Sequence, residues 1–187
     1  MRRVLVTAVA GLVLCGCAIG PERTAHVIDR SRIPHGLLDP SPTAPPGTAP
    51  TENVTLYFES AQGLVAVARA ARRPVTLRAV VRLLARGPTV SERSAGVQSP
   101  LSTGRPITLR SLVNDVATVD LPADVTDLGG QDQIVAVAQL VYTITAYPGV
   151  DAVTVLVNGI PATVPTANGS LSAGPLRRAD YAELAPR

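Results

Sequence analysis

The sequence predicts a single α+β domain in which two amphipathic helices cover one face of a mixed β-sheet. Three observations predict it. The chain of 187 residues is 46% hydrophobic, enough to bury a core and to exclude general disorder. Short β-branched runs alternate with two longer stretches of helical periodicity, in the order β(β)αββαβ(β). Finally, two cysteines and glycines without a triplet period exclude a disulfide scaffold and a collagen-like chain.

The amino terminus has the form of an export signal. Arg2 and Arg3 precede an apolar run at residues 4–14. A helix of that length covers about half of the ~30 Å hydrocarbon core of a bilayer, whereas secretory signals have apolar runs of about this length. We therefore predict a signal peptide rather than a membrane-spanning helix.

The residues that follow this run resemble the lipobox of bacterial lipoproteins. They are Leu14, Cys15, Gly16 and Cys17. The resemblance implies that residues 1–16 are removed, and that Cys17 becomes the lipidated first residue of a protein held on the outer face of the cell membrane. The alternative is an ordinary signal peptide with two chance cysteines.

Residues 17–53 are rich in proline and have no apolar periodicity. We predict that they form the lipidated cysteine and a proline-rich tether. The chain's two histidines, His26 and His35, lie in this tether without ligand partners, so no metal site is predicted. The predicted domain occupies residues 54–165, and residues 166–187 form a C-terminal extension without a clear pattern.

The first half of the domain predicts a hairpin and a helix. Residues 54–58 and 64–68 are strand-like and close enough for a hairpin. Thr76 is a candidate helix cap, and Gly87 with Pro88 would end the helix. One helical face then carries Leu77, Val80, Val81 and Leu84.

The middle of the domain predicts a loop and a second strand pair. Residues 88–105 are rich in Ser, Gly and Pro, and we expect a long loop with either a functional or a mobile role. Residues 107–112 and 116–121 predict two strands joined by a turn at Asn114-Asp115.

The remaining elements are a broad helix and a terminal strand. Residues 131–146 have so wide an apolar stripe that the helix should lie centrally across the sheet. Residues 153–157 predict a strand that enters a type I′ turn at Asn158-Gly159. Pro161 and Pro165 allow only an edge strand afterwards.

Six stretches in this order resemble the GerMN domain, a sporulation and spore-germination family that also occurs in actinobacterial lipoproteins. The stretches are VTLYF (54–58), LLARGPT (83–89), SPLSTG (99–104), NDVATVDLP (114–122), AQLVYTIT (138–145) and VLVNG (155–159). Because these domains resemble ring-building modules of cell-envelope assemblies, the resemblance implies binding and scaffolding. It supplies no catalytic residues to carry over.

The residues themselves also argue against an enzyme. After His35 there is no histidine or cysteine, which excludes Ser-His and Cys-His dyads, and without lysine there is no P-loop. We therefore predict no cofactor. A carboxylate pair for an envelope hydrolase is conceivable, but the nearby acids have the positions of turn and cap residues: Asp115, Asp120, Asp124, Asp127 and Asp132.

The clearest candidate site is a stripe of arginines on the first helix. Arg78, Arg82 and Arg86 have i, i+4, i+8 spacing, away from the apolar face. One interpretation is a solvated face, since surface pairs contribute only ~0–1 kcal/mol. The other is a docking site for an anionic partner: an acidic protein face, anionic lipid, an envelope polymer, or the acidic segment 115–132 of a second copy.

Two function hypotheses remain. The first is a lipid-anchored, extracytoplasmic binding or scaffolding module for a cell-envelope partner or for self-association. The second is a small-ligand-binding lipoprotein in which the 88–105 loop is a lid. Nucleic acid is not an expected partner, because the mature chain would have 15 arginines against 14 acids.

Overall fold

The computed structural model describes residues 49–102 and 104–186. The predicted signal peptide, Cys17 and residues 18–48 of the predicted tether lie outside these residues. The helices are α1 (Leu77–Ala85), α2 (Val90–Ser94) and α3 (Gly130–Ile144), with 3₁₀ segments at Ala123–Val125 and Arg178–Leu184. The strands are β1 (Thr51–Ser60), β2 (Gly63–Arg72), β3 (Thr108–Val113), β4 (Val116–Leu121), β5 (Ala152–Val157), β6 (Ile160–Pro161), β7 (Val164–Pro165) and β8 (Leu171–Ser172).

The first hairpin is confirmed and is longer than predicted. β1 and β2 pair antiparallel over ten residues each, from Thr51 opposite Arg72 to Ser60 opposite Gly63. Leu56 and Phe58 are fully buried, because alternate side chains of β1 face the core. The two strands form a sheet of their own rather than joining the larger one.

Helix α1 begins and ends where its sequence signals predict. The Thr76 hydroxyl accepts the Ala79 N–H at 3.2 Å and caps the first turn. Gly87 has a φ of +69°, the left-handed conformation expected after a helix. The four predicted apolar residues are all buried: Leu77, Val80, Val81 and Leu84.

The prediction of a long loop at residues 88–105 is wrong in part, because α2 lies within it. Thr89 and Glu92 form a capping box: the hydroxyl of Thr89 accepts the Glu92 N–H, and the Glu92 carboxylate accepts the Thr89 N–H. The Nη2 of Arg69 in β2 donates to both carboxylate oxygens of Glu92, at 2.8 and 3.1 Å, and this ion pair holds Glu92 against the hairpin.

The mixed sheet has the order β3-β4-β5-β6. β3 and β4 are antiparallel around the predicted turn, in which Asn114 and Asp115 have positive φ. β4 and β5 are parallel, and α3 lies in the crossover between them. Pro161 lies on the edge strand β6, where its missing N–H breaks no ladder.

Helix α3 is the centre of the domain, as its broad apolar stripe predicts. All eleven residues from Ile134 to Ile144 are buried. The helix contacts β1, α1, β5, β7 and the C-terminal 3₁₀ segment. It has 15 residues, and none of the helices in the two described ranges is long and apolar enough to cross a bilayer.

The C-terminal residues pack against this core. Leu176 is 1% exposed and Tyr181 is fully buried. The Tyr181 hydroxyl donates to the Pro165 carbonyl at 2.8 Å, and the Tyr142 hydroxyl of α3 donates to the carbonyl of Tyr181. Residues 166–187, which the sequence alone separates as an extension, thus contribute two side chains to the core.

A buried carboxylate joins the sheet at Asp120 of β4. Its oxygens accept hydrogen bonds from Arg110 of β3 and from the N–H of Gly159, in the turn after β5, at 2.9 Å. Burial alone would raise the pKa of Asp120, but the hydrogen bonds from Arg110 and Gly159 and the charge of Arg110 lower it below the ordinary value. Asp120 therefore links β4 to β3 and to the turn after β5, and it is not a turn or cap residue.

We expect Gly87→Ala to destabilise the domain by about 2–3 kcal/mol. An added Cβ would overlap the Ser102 side chain, and a left-handed φ costs an L residue about 1–2 kcal/mol. Gly96→Ala is the matched control, since Gly96 has a φ of +83° with no atom within 4 Å of the added Cβ. Urea unfolding measures the free energy of unfolding of both variants, and an equal loss of stability in the two would contradict the predicted clash.

We expect Asp120→Asn to lower the free energy of unfolding by about 2 kcal/mol at pH 7, because it removes a charge-assisted contact. The folded-state pKa is lowered, so this contribution is present above about pH 4 and is lost as the pH falls through the folded pKa. The difference between wild type and variant should shrink in acid. Asp124→Asn is the control, because Asp124 forms an exposed pair with Arg105 at 3.4 Å. This substitution should change the free energy of unfolding by less than about 0.5 kcal/mol, both at pH 7 and in acid.

Candidate functional site

The three predicted arginines form an exposed ridge along α1. Arg78, Arg82 and Arg86 are all exposed, and the apolar side of the same helix is buried. With a rise of ~1.5 Å per residue, the ridge is about 12 Å long. Within the described residues, none of its guanidinium groups lies within 4.0 Å of a carboxylate.

The stability of the helix explains only part of this ridge. Arg82 lies in the last turn and Arg86 is the C-cap, where positive charge interacts favourably with the helix dipole. Arg78 lies in the first turn, where positive charge is unfavourable and where α1 has no acidic residue. Helix stability therefore gives no reason for an arginine at position 78.

The neighbouring arginines have different surroundings. Arg69 pairs with Glu92 and lies 5.9 Å from the centre of the Phe58 ring. Arg73 pairs with Glu52 at 3.3 Å, with both side chains about half exposed. Arg72, at the end of β2, is exposed and has no carboxylate within 4.0 Å among the described residues. Most of the unpaired positive charge in this part of the sequence is therefore on α1.

The acidic segment is neutralised in part within the domain, whereas Asp115, Asp127 and Asp132 are exposed. Arg110 neutralises Asp120, and Asp124 pairs with Arg105. As interpreted from the sequence, Asp115 lies in a turn and Asp132 in the first turn of α3. No group of three or more potential metal-ligating side chains occurs in the described parts of the chain.

A concavity of about 630 Å³ lies between the 88–102 segment and the start of α3. Four charged side chains line it: Glu59, Arg86, Arg93 and Asp132. Burial, followed by the negative charge of Asp132, raises the pKa of Glu59. The sequence analysis did not identify Glu59, because it lies at the end of β1, far along the chain from Asp132.

Several contacts fix the wall of this concavity. Glu59 and Gln98 exchange two backbone hydrogen bonds of 2.9 Å. The buried Gln139 of α3 accepts from the Ser99 hydroxyl at 2.9 Å and donates to the Gln98 carbonyl at 3.3 Å. Leu101 is fully buried. Residues 98–101 are therefore anchored to both β1 and α3.

A second concavity, of about 800 Å³, lies beside the outer edge of β1. One wall is formed by residues 52–55 of that strand. The other comes from residues 73–75, Val80 of α1 and the chain around the end of α3, including Thr143 and Tyr147. Its lining is more apolar in character than that of the first concavity, with Val54, Val75, Val80, Ala146 and two prolines.

Two solved structures share this fold. The tandem GerMN domains of the sporulation protein GerM from Bacillus subtilis match with a TM-score of 0.54 and 20% identity over 85% of this chain and 50% of theirs. The first GerMN domain of the same protein matches with a TM-score of 0.51 and 21% identity over 69% of this chain and 99% of that domain. The chain thus spans half the length of the tandem structure.

The sequence also matches a protein family. No curated protein matches the chain. The family model Germane, described as "Sporulation and spore germination", matches residues 55–163, which is more than half of the sequence and runs from β1 to just before β7. The chain therefore belongs to the sporulation and spore germination family, and its fold is that of a GerMN domain.

Proposed function

We propose that this chain is a lipid-anchored, extracytoplasmic protein whose GerMN domain binds a partner in the cell envelope without catalysing a reaction. The observation that carries the proposal is the arginine ridge of α1. Its charges are exposed, and the opposite side of the helix is locked in the core. A rigid helix that presents three charges without an ion pair in the described part of the chain is suited to recognise an anionic surface.

Arg78 is the strongest support for a binding role. A residue that opposes the helix dipole and has no carboxylate within 4.0 Å among the described residues contributes nothing evident to folding. A partner that supplies a carboxylate or phosphate would give it a charge-assisted contact. The partner we propose is an anionic envelope component, with an acidic protein face as its simplest form.

Self-association through the acidic segment is the weaker form of this proposal. Two of its five acids, Asp120 and Asp124, already have arginine partners. Asp120 is also 7% exposed, so it offers little surface to a second copy.

A non-catalytic role agrees with the composition of the domain. From residue 36 onward the chain has no histidine and no cysteine, the usual side chains for acid–base and nucleophilic chemistry near neutral pH. Asp120, the most buried carboxylate of the acidic segment, is occupied with Arg110 and Gly159.

The concavity with Glu59 and Asp132 supports a second candidate, a small polar ligand. Charged groups of both signs converge there, as a ligand site requires. The contacts of Gln98, Ser99 and Leu101 favour a fixed wall over a closing lid, so a ligand would enter a site that is already open.

We expect Cys17→Ala to release the protein from the membrane. Without the thiol no lipid is added, and the chain should move from the detergent phase to the aqueous phase in Triton X-114 partition. Cys15→Ala is the matched control, because position 15 lies in the predicted signal peptide and should leave anchoring intact. Mass spectrometry of the wild-type amino terminus should find an acylated Cys17. An unmodified Cys17, or equal partition of both variants, would contradict the anchor.

We expect replacement of Arg78, Arg82 and Arg86 by Gln to reduce capture of the partner at least tenfold, since three lost charge-assisted contacts of about 0.5–1 kcal/mol each exceed the ~1.4 kcal/mol of a tenfold change. The assay is crosslinking of the anchored protein in intact cells, quantified by mass spectrometry. The control removes three other exposed arginines, Arg72, Arg105 and Arg177, for the same change in net charge.

A double variant of Arg78 and Arg82 and a single variant of Arg86 distinguish the arginine ridge from the small-ligand site. Arg86 lines the charged concavity, whereas Arg78 and Arg82 do not. Loss of the partner in the Arg78/Arg82 double variant supports the ridge. Loss confined to Arg86→Gln would favour the small-ligand site, and unchanged crosslinking in the triple variant would contradict the ridge.

A further inference from the structure

The outer edge of β1 is only partly covered. The register with β2 decides which backbone groups face that edge, because residues of an antiparallel pair alternate between hydrogen-bonded and outward-facing positions. Arg73 donates to the Pro50 carbonyl at 2.9 Å, which makes this a hydrogen-bonded pair. Counting along the register, Asn53, Thr55, Tyr57 and Glu59 therefore direct their N–H and C=O groups outward, away from β2.

Two of these four positions already have partners. Glu59 exchanges both of its backbone hydrogen bonds with Gln98, as if a strand were added there. The Tyr57 N–H donates to the hydroxyl of Thr143, a fully buried residue of α3, at 3.0 Å. These contacts confirm the direction derived from the register, and they show that this edge accepts backbone pairing.

The other two positions face the open groove of about 800 Å³. The main-chain groups of Asn53 and Thr55 make no hydrogen bond to any described residue, and both residues are exposed. The edge becomes uncovered here because α3 ends at Ile144, one residue after the Thr143 contact, while β1 continues to Thr51.

The opposite wall of the groove is apolar and fixed. Val75 and Val80 line it, and the Tyr147 hydroxyl donates to the Val75 carbonyl at 3.0 Å. Glu52 of β1 and Arg73, which also line the groove, form an exposed ion pair. An unpaired strand edge beside a rigid apolar wall is the geometry that binds extended peptides by β-augmentation.

We propose that this groove binds an extended segment of a partner protein, which adds to β1 as a strand antiparallel or parallel to residues 51–55. The outward N–H and C=O groups of Asn53 and Thr55 would pair with its backbone, and alternate apolar side chains would face the half-buried Val75 and Tyr147. Five residues of strand correspond to about 17 Å, so the recognised segment is short.

The stretch of the protein's own tether that lies nearest to the groove in sequence is an unsuitable occupant. It enters β1 at Ala49 and Pro50, beside the groove, and would have to fold back on itself. The nearest stretch carries Pro40, Pro42, Pro45 and Pro46, which lack the N–H groups that strand addition needs. The proposal depends neither on Cys17 nor on the arginine ridge, so it can fail while the proposed function stands.

The test uses Thr55→Pro in the full-length protein. Proline at position 55 removes an outward N–H and obstructs an incoming strand, but it leaves the hydrogen bonds between β1 and β2 intact. Ala68→Pro is the matched control, because Ala68 lies directly opposite Thr55 and is exposed on the outer edge of β2, away from the groove. The probe is a displayed library of random twelve-residue peptides, selected on the detergent-solubilised wild-type chain.

We expect selected peptides to bind at least tenfold more weakly to Thr55→Pro than to wild type, with Ala68→Pro within twofold of wild type. N-methylation of alternate amides in a selected peptide should abolish binding, because it removes the backbone donors. No enrichment of peptides, equal binding to both variants and wild type, or binding that tolerates N-methylation would each overturn the proposal. Sedimentation could also show that the wild-type protein self-associates and that Thr55→Pro abolishes this self-association. The occupant of the groove would then be a second copy of this chain, which would overturn the proposal of a partner segment too.

A second pair of variants keeps the test decisive if Thr55→Pro does not fold. Ala146→Trp would fill the groove from the opposite wall without altering β1. Its control is Ala70→Trp, on the exposed outer edge of β2. Peptide binding should be lost at least tenfold in the first and retained in the second, and binding retained in both would overturn the proposal.

Discussion

The enclosure of α3 from Ile134 to Ile144 is the constraint on which the rest of the domain depends. Every side chain from Ile134 to Ile144 is buried, so the helix has no face on which a polar group could reach water. Gln139 and Thr143 are nonetheless in this stretch, four residues apart and hence on the same side of the helix. Each must find a partner within the protein, because an unsatisfied buried polar group costs about 1–3 kcal/mol. Gln139 binds the 98–99 segment, and Thr143 binds the edge of β1.

These two contacts also determine where the domain is open. Gln139 holds residues 98 and 99 beside the end of β1, which forms one wall of the charged concavity. Thr143 covers β1 at Tyr57, and the helix ends immediately afterwards, which leaves the outward main-chain groups of Asn53 and Thr55 without a partner among the described residues. The start of α3 thus borders the charged concavity, and its end borders the groove beside β1. α1, packed against α3 through its apolar face, turns its arginines outward as a consequence of the same burial.

The features that the sequence predicted correctly are encoded locally. The Thr76 cap, the left-handed Gly87, and the turns at Asn114-Asp115 and Asn158-Gly159 each depend on residues within a few positions. Helix α2 is also local, through the T-x-x-E capping box of Thr89 and Glu92, but the Ser, Gly and Pro around it favoured a loop interpretation. The features that could not be predicted join distant positions. No spacing rule connects Gln139 with Ser99, or Glu59 with Asp132. The three arginines followed from helical period alone, whereas the two concavities required the tertiary structure.

A surface of three arginines is modest as a binding site, and the proposed anchor explains why it can suffice. Each exposed ion pair contributes about 1 kcal/mol or less, so the three arginines together supply about 3 kcal/mol at most, which corresponds to a dissociation constant of several millimolar or weaker. An anchor at Cys17, as proposed, would confine the domain to the membrane surface. A partner confined to the same surface would then meet the domain at a higher effective concentration than a partner free in solution. A weak contact can be populated under those conditions, and it can be exchanged quickly. A stronger surface would need more buried apolar area, and α1 has none left to offer because its apolar face already forms part of the core.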